Sequence, residues 1–138
     1  MATKAYGTGY ENIKYTYNST KEKWTASPSI KVGSTPGYFF GYYPYDSEST
    51  DIKAIPIESS LNGDDVMYAE KVSDVLEINA LRTSIMMKHA LSRVSIMVKN
   101  NGYTGEAKLS KIKFSGTEIA PKGTLSALDG SITAEKRT

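Results

Sequence analysis

Apolar and polar residues alternate along several short runs of the chain. Residues 13–17 and 93–99 show the pattern most clearly, with an apolar side chain at every second position. A period of two residues is typical of a strand that buries one face. Shorter runs of this kind predict further strands at 24–26, 29–32, 52–57, 66–69 and 109–114. The pattern therefore favours a β-rich protein.

An aromatic run at residues 38–45 departs from this alternation, because it carries aromatic side chains at both even and odd positions. Such a run suits a central strand that is covered on both faces. Pro44 has no backbone N–H to give to a neighbouring strand, so we expect it to mark the end of this strand. By the same argument, Pro56 places the strand at 52–57 at the edge of a sheet.

Residues 76–99 allow two interpretations, because good helix formers at helical spacing occur in the first part of this range. In the strand interpretation, the apolar side chains up to Leu91 and those from Val94 onwards would lie on opposite faces of one flat strand. A bulge or a single helical turn near residues 90–93 would correct this change of parity. We favour two strand segments joined by such an irregularity, because residues 93–99 alternate cleanly.

Turn signals separate the predicted strands. The Asp129-Gly130 pair lies between alternating segments at 124–128 and 131–135, and such a pair is a strong hairpin signal. About eight short strands with turns of this kind predict an antiparallel β-sandwich.

The composition is that of a folded single domain. The 138 residues include 39% hydrophobic and 23% charged residues, unlike a disordered chain. No apolar run approaches the ~20 residues that span a bilayer. We expect one domain over residues 1–138, with loose ends at 1–10 and 135–138. The net charge of +2 gives no indication of binding to nucleic acid or to an anionic membrane.

Catalytic and metal-binding chemistry has few candidate residues. The chain has no cysteine and a single histidine, His89, which excludes disulfides, thiol catalysis and multi-histidine metal sites. No Gly-rich phosphate loop and no Gly-x-Ser-x-Gly motif is present. A pair of catalytic carboxylates is the remaining enzymatic alternative, and we rank it last. We therefore predict a non-enzymatic protein with no catalytic residue, cofactor or metal ion.

The aromatic residues allow a binding role as well as a packing role. The run at 38–45 and the pair of Tyr15 and Tyr17 could form a platform for a carbohydrate or a protein, since tyrosine is enriched at interfaces. Side chains at strand spacing are more often part of the core, which we favour. His89 could be a pH switch or a lone ligand, but we favour a packed or hydrogen-bonded histidine because no partner ligands are evident.

Four motifs follow one another along most of the chain. Trp24 precedes the extended residues 29–32, and the aromatic run ends in the Tyr-Pro-Tyr motif at 43–45. Asp-Val-Met-Tyr-Ala at 65–69 comes next, followed by the alternating stretch 89–98 that begins with His-Ala-Leu-Ser-Arg. This series is similar to the N-terminal part of fimbrillins, the fimbrial subunit proteins of the type V pili of Bacteroidales. The resemblance implies packing roles for Trp24, Tyr43, Pro44, Tyr45, Met67, Tyr68, His89 and Leu91.

The resemblance also implies a fold, a location and a mode of assembly. The fold would be a transthyretin-like, Greek-key β-sandwich of about seven to eight antiparallel strands, the N-terminal domain of a longer two-domain fimbrillin. The protein would be exported as a lipoprotein precursor, whose signal is not in this chain, and displayed at the cell surface on the outer membrane. It would assemble by donor-strand exchange, in which a strand from one fimbrial subunit completes the sheet of the next.

A second hypothesis is a stand-alone cell-surface binding module that takes a glycan or a host protein on exposed aromatic side chains. The expected partners are therefore other fimbrial subunits or a host or bacterial surface ligand, and not nucleic acid. Neither hypothesis requires a cofactor.

Overall fold

The computed structural model describes residues 2–3, 11–31, 39–59, 64–69, 84–116 and 119–135. Every regular element in these ranges is a β-strand, and no helix occurs among them. The strands are β1 (Ala2–Thr3), β2 (Lys14–Asn18), β3 (Lys23–Ser27), β4 (Phe39–Tyr43), β5 (Ile55–Glu58), β6 (Met67–Ala69), β7 (Lys88–His89), β8 (Lys122–Leu125) and β9 (Ile132–Ala134). The predicted all-β class is confirmed.

The described strands form three antiparallel sheets. The largest has the order β1-β4-β6-β7, the second is the hairpin β2-β3, and the third has the order β5-β8-β9. Each pairing in these sheets is antiparallel, as predicted. Because Ala2–Thr3 pairs with β4, this part of the range 1–10 is a strand and not a loose end. The Greek-key connections and the transthyretin-like topology stay predictions.

The aromatic run forms β4, a central strand that lies between β1 and β6. Phe39, Gly41 and Tyr42 are buried. Buried residues at both odd and even positions match the prediction of a strand covered on both faces. The strand ends at Tyr43, directly before Pro44, as predicted.

The hydrophobic core lies between the largest sheet and the three-stranded sheet. Tyr42 and Val66 enter it from the side of β4 and β6, and Ile55, Leu125 and Ala127 enter it from the side of β5 and β8. Leu125 is fully buried. Burying a side chain of this size stabilises the fold by about 1.5–3 kcal/mol relative to leaving it exposed. The two sheets therefore pack as the layers of a sandwich.

The strand predicted at 52–57 is observed at Ile55–Glu58, so it begins three residues later than predicted. Residues 52–54 form a turn, in which the N–H of Ala54 donates to the carbonyl of Asp51 at 3.1 Å. Strand β5 begins after this turn and has a single described neighbour, β8. Pro56 therefore lies in an edge strand of the described sheet, as predicted.

The hairpin predicted around Asp129-Gly130 is confirmed, with residues 126–131 connecting β8 to β9. Gly130 has a φ of +75°, a left-handed conformation that glycine adopts at little cost. The N–H of Ser126 donates to the carbonyl of Ser131 at 2.9 Å and closes the loop. The carboxylate of Asp129 accepts hydrogen bonds from the backbone and hydroxyl of Ser131, which lower the pKa of Asp129.

The strands predicted at 93–99 and 109–114 are wrong, because both runs belong to no strand in the described ranges and their side chains are exposed. A strand needs a neighbour to take up its backbone hydrogen bonds, and no described strand lies beside either run. Residues 29–31 likewise form no strand, and residue 32 lies outside the described ranges.

The ambiguous range 76–99 has no helix among its described residues, which begin at residue 84. Of the described residues in this range, only Lys88–His89 form a strand, and the chain then bends at Ala90 and Leu91. This bend lies at the predicted position, but the second of the two predicted strand segments, residues 93–99, is not a strand. The first part of the range lies outside the described residues.

Candidate interaction surfaces

The ladder of β4, β6 and β7 brings three of the predicted site residues into one row. Tyr43 lies opposite Met67, and Met67 lies opposite His89. Side chains directly opposite each other in an antiparallel pair lie on the same face. Because Tyr43 and His89 are exposed, this row lies on the solvent face of the sheet. Sequence reasoning missed the row, since the three residues belong to separate motifs that are joined only by strand register.

The neighbouring row faces the core. Tyr42 lies opposite Tyr68, and both Tyr68 and Leu91 pack against the buried cluster. The ring of Tyr68 also covers Gly130 so closely that a Cβ atom at Gly130 would overlap with it. Tyr68 therefore joins the largest sheet to the β8–β9 loop. These contacts support packing roles for Tyr68 and Leu91.

The hydroxyl of Tyr42 connects two loops. It lies 2.6 Å from Oδ1 of Asn12 and 3.0 Å from the carbonyl oxygen of Asp46. The side-chain amide of Asn12 donates to the same carbonyl oxygen at 2.8 Å. Burial raises the pKa of Tyr42, and the hydrogen bond to Asp46 opposes this effect only in part. The segment before β2 and the loop after β4 are thus held together at one buried phenol.

Pro44 and Tyr45 follow β4 directly, and the Tyr43–Pro44 peptide bond is cis. The ammonium group of Lys14 in β2 lies 5.6 Å from the centroid of the Tyr45 ring, which is a cation–π distance. This contact connects the β2–β3 hairpin to the chain that leaves β4.

His89 pairs with Asp65, which lies shortly before β6. Nδ1 of His89 is 2.6 Å from Oδ2 of Asp65, and both side chains are largely exposed. Screening by solvent makes such a pair a weak contributor to stability. Across the described ranges, no group of three or more His, Cys, Asp or Glu side chains could hold a metal ion. Of the two structural roles predicted for His89, hydrogen bonding is the one observed.

The β2–β3 hairpin carries an exposed aromatic pair. Tyr17 and Trp24 lie opposite each other in the ladder, with ring centroids 5.4 Å apart and an interplanar angle of 54°. Tyr17 is 50% exposed and Trp24 is 60% exposed. Tyr15, on the same face, is half-buried, and this burial raises its pKa. The hairpin thus has a covered base and an apolar outer end that is open to solvent.

A second exposed surface is formed by residues 93–114, which we call the basic segment. It carries five basic side chains and one acidic side chain, Glu106. The side-chain amide and carbonyl of Asn100 bond to the backbone of Tyr103, both at 2.8 Å, and turn the segment at its middle. Its exposed large apolar residues are Val94, Ile96, Met97, Val98, Tyr103, Leu109, Ile112 and Phe114. An exposed apolar surface of this extent is typical of an interaction site.

An open groove of about 180 Å³, which we call the acidic groove, lies between β4 and β5. Its lining includes four buried apolar side chains of the core and the carboxylates of Asp46, Glu58 and Asp64. Nζ of Lys122 lies 3.7 Å from Oε2 of Glu58 and offsets part of this charge. The surrounding chain, residues 46–65, contains six acidic residues and one basic residue. The acidic residues are Asp46, Glu48, Asp51, Glu58, Asp64 and Asp65.

An antiparallel β-sandwich with these solvent-facing surfaces is typical of a domain that acts through contacts with other molecules. A family model described as fimbrillin-like matches residues 1–138, and the chain belongs to this family. No curated protein and no solved structure matched the chain. Membership confirms the resemblance seen in the motifs and makes this chain a fimbrial structural subunit of a family that is not enzymatic. The described residues contain no helix long and apolar enough to cross a membrane.

Proposed function

We propose that this protein is a non-enzymatic structural or adhesive subunit of a bacterial surface fimbrium that joins other fimbrial subunits by donor-strand exchange. The observation that carries this proposal is the fimbrillin-like match over residues 1–138. The exposed basic segment supports it, because its two alternating runs at 94–98 and 109–114 are strand-like in sequence and belong to no described strand.

Donor-strand exchange suits such a segment on physical grounds. An extended chain that adds to a sheet gains backbone hydrogen bonds, while alternate side chains fill pockets and fix the register. An unpaired strand-forming run left in water is an aggregation hazard. Pairing with a neighbouring subunit would remove that hazard and hold the filament together in one step.

Export and domain organisation are part of the same proposal. We infer a lipoprotein precursor displayed at the outer membrane, and a longer two-domain fimbrillin of which this sandwich is the N-terminal domain. At the cell surface the domain would meet the other fimbrial subunits with which it exchanges strands. Of the predicted site residues, Tyr68 and Leu91 act in packing against the core and Tyr45 against Lys14. A packing role in the core does not fit Trp24, Tyr43 and His89, whose side chains are exposed.

Electron microscopy of the source cells, labelled with an antibody against this domain, tests the proposal. Label along filaments is expected, and its position separates a shaft subunit from a tip subunit. Label on the cell surface without filaments would favour the binding module described below. An expressed protein that gives no surface label would contradict both.

The exposed pair of Tyr17 and Trp24 favours a second function, a cell-surface module that binds a glycan or a host protein. Aromatic rings with an apolar face and a polar edge suit both ligands. In this case the isolated domain should bind a glycan array, and Trp24→Ala should abolish binding without loss of the fold by circular dichroism. Tyr103→Ala, which removes another exposed ring, is the matched control. Equal binding by wild type and Trp24→Ala would exclude this pair as the site.

A further inference from the structure

Opposite charges are concentrated in two separate parts of the chain. The basic segment has a net charge of +4, with Arg93, Lys99, Lys108, Lys111 and Lys113 against Glu106. Residues 46–65 have a net charge of −5, although the whole chain has a net charge of only +2. The near-neutral overall balance therefore hides a strong separation of charge along the chain.

Each of the two surfaces also presents an apolar component. Ile112 and Phe114 are exposed in the basic segment and alternate with Lys111 and Lys113. The acidic groove is open to solvent, and its accessible apolar lining consists of Tyr43, Pro44, Pro56 and Ile57, which are exposed or half-buried. A lysine-flanked apolar side chain and a carboxylate-lined apolar groove are complementary in both charge and polarity.

We propose that the basic segment of one copy docks into the acidic groove of a second copy of this chain. The proposal rests on the proposed function and identifies the surfaces through which subunits meet. Ile112 or Phe114 enters the groove between β4 and β5, and Lys111 and Lys113 lie against its carboxylates.

The second copy is the occupant because both complementary surfaces belong to the same chain. In the described structure the side chains of the basic segment are exposed, so its own groove does not cover them. A contact between two different patches is head-to-tail, and it continues from copy to copy unless a rotation closes it into a ring. When it does not close into a ring, such a contact produces a linear assembly, which is the form a fimbrial subunit needs.

The groups around the groove set the expected strength. Lys122 partly neutralises Glu58, and Asp46 and Asp64 are the other acidic residues that line the groove. Exposed charges are screened beyond a Debye length of about 10 Å at 0.1 M salt. We therefore expect electrostatics to control the rate and specificity of docking, and the apolar contact to supply much of its affinity.

Sedimentation velocity of the full chain over a range of concentrations tests the proposal. We expect concentration-dependent self-association that weakens at least about tenfold when the salt rises from roughly 50 to 500 mM. The double variant Lys111→Glu/Lys113→Glu should weaken it by at least about tenfold at low salt. The control Lys21→Glu/Lys23→Glu changes the net charge equally on the β2–β3 hairpin and should leave association unchanged.

A charge exchange makes the test independent of any loss of folding. The groove variant Glu58→Lys/Asp64→Lys should not associate with itself, but should associate with Lys111→Glu/Lys113→Glu when the two are mixed. Recovery in the mixture would establish the pairing. The proposal is overturned if the wild type stays monomeric, if both double variants associate as wild type does, or if mixing restores nothing. Label along filaments on the source cells would leave the fimbrial function standing in each of these cases.

Discussion

Strand β4 and the basic segment have similar strand-forming sequences and opposite fates. Residues 39–43 have a described strand on each side and form the centre of the largest sheet. Residues 93–99 alternate more regularly, yet they remain exposed and outside every described strand. Alternation therefore specifies which side chains share a face, but not whether another layer is present to cover that face.

Charge explains much of the difference. The aromatic run at 38–45 contains no charged residue, so it can be covered on both faces without burying an ion. The basic segment carries a lysine or arginine near each end of its alternating runs and between Ile112 and Phe114. These charged groups remain solvated, and the apolar residues beside them stay at the surface within the described structure.

Limited proteolysis gives the largest expected contrast between the two regions. Trypsin should cut after Lys99, Lys108 and Lys111 about 100-fold faster than after Lys122, because cleavage within β8 requires prior opening of the sheet. Mass analysis of the fragments over time measures both rates. Cleavage at Lys122 as fast as in the basic segment would show that the two regions are equally open.

Truncation of one leucine in the core and one in the basic segment should change the free energy of unfolding by different amounts. Leu125→Ala should lower the free energy of unfolding by about 2–5 kcal/mol, because the side chain is fully buried. Leu109 is 63% exposed, and Leu109→Ala should change the free energy by less than about 0.5 kcal/mol. Urea unfolding followed by far-UV circular dichroism measures both. Similar losses would mean that Leu109 is covered.

Two glycines with the same backbone conformation sharpen the comparison. Gly130 and Gly102 have φ angles of +75° and +80°, so alanine at either position costs about 1–2 kcal/mol in backbone strain. At Gly130 the new Cβ meets the ring of Tyr68, whereas no atom of the described residues lies within 4 Å of a Cβ at Gly102. Gly130→Ala should therefore cost at least about 1 kcal/mol more than Gly102→Ala in the same urea titration. Equal costs would rule out close packing of Tyr68 on the loop.

Removal of one hydroxyl from each region has a smaller effect. Tyr42→Phe deletes the group that contacts Asn12 and Asp46 and should cost about 0.5–1.5 kcal/mol. Tyr103→Phe removes a hydroxyl from an exposed ring and should be neutral within error. A neutral Tyr42→Phe would show that Asn12 and Asp46 hold the loops together without the phenol.

The smallest expected effect is a pH dependence of the folding stability that arises from the buried Tyr42. Burial raises the pKa of Tyr42 above its ordinary value near 10, so the folded state retains this proton where the unfolded state loses it. The resulting stability is present below pH 10 and is lost as the pH rises through the folded-state pKa. Urea midpoints between about pH 9 and 11 should fall less steeply in Tyr42→Phe than in Tyr103→Phe. Parallel pH profiles would contradict this assignment.

The features predicted correctly from sequence are local ones. The central strand β4, its end before Pro44 and the hairpin at Asp129-Gly130 each follow from a few adjacent residues. The row of Tyr43, Met67 and His89 depends on the register of three strands distant in sequence, which no local pattern encodes. The exposure of Trp24 could not be predicted from the sequence either. It depends on whether another part of the protein covers the β2–β3 hairpin, and the alternation of residues within the hairpin does not specify this.

Trp24 is the single tryptophan of the chain, and its exposure gives the protein a selective optical probe. Its fluorescence should be close to that of a solvated indole in both the folded and the unfolded state, so loss of the core would change it little. A glycan or subunit that covers the β2–β3 hairpin would instead shift the emission to shorter wavelength. Tryptophan emission therefore reports occupancy of the hairpin, and the ten tyrosines or the backbone must report folding.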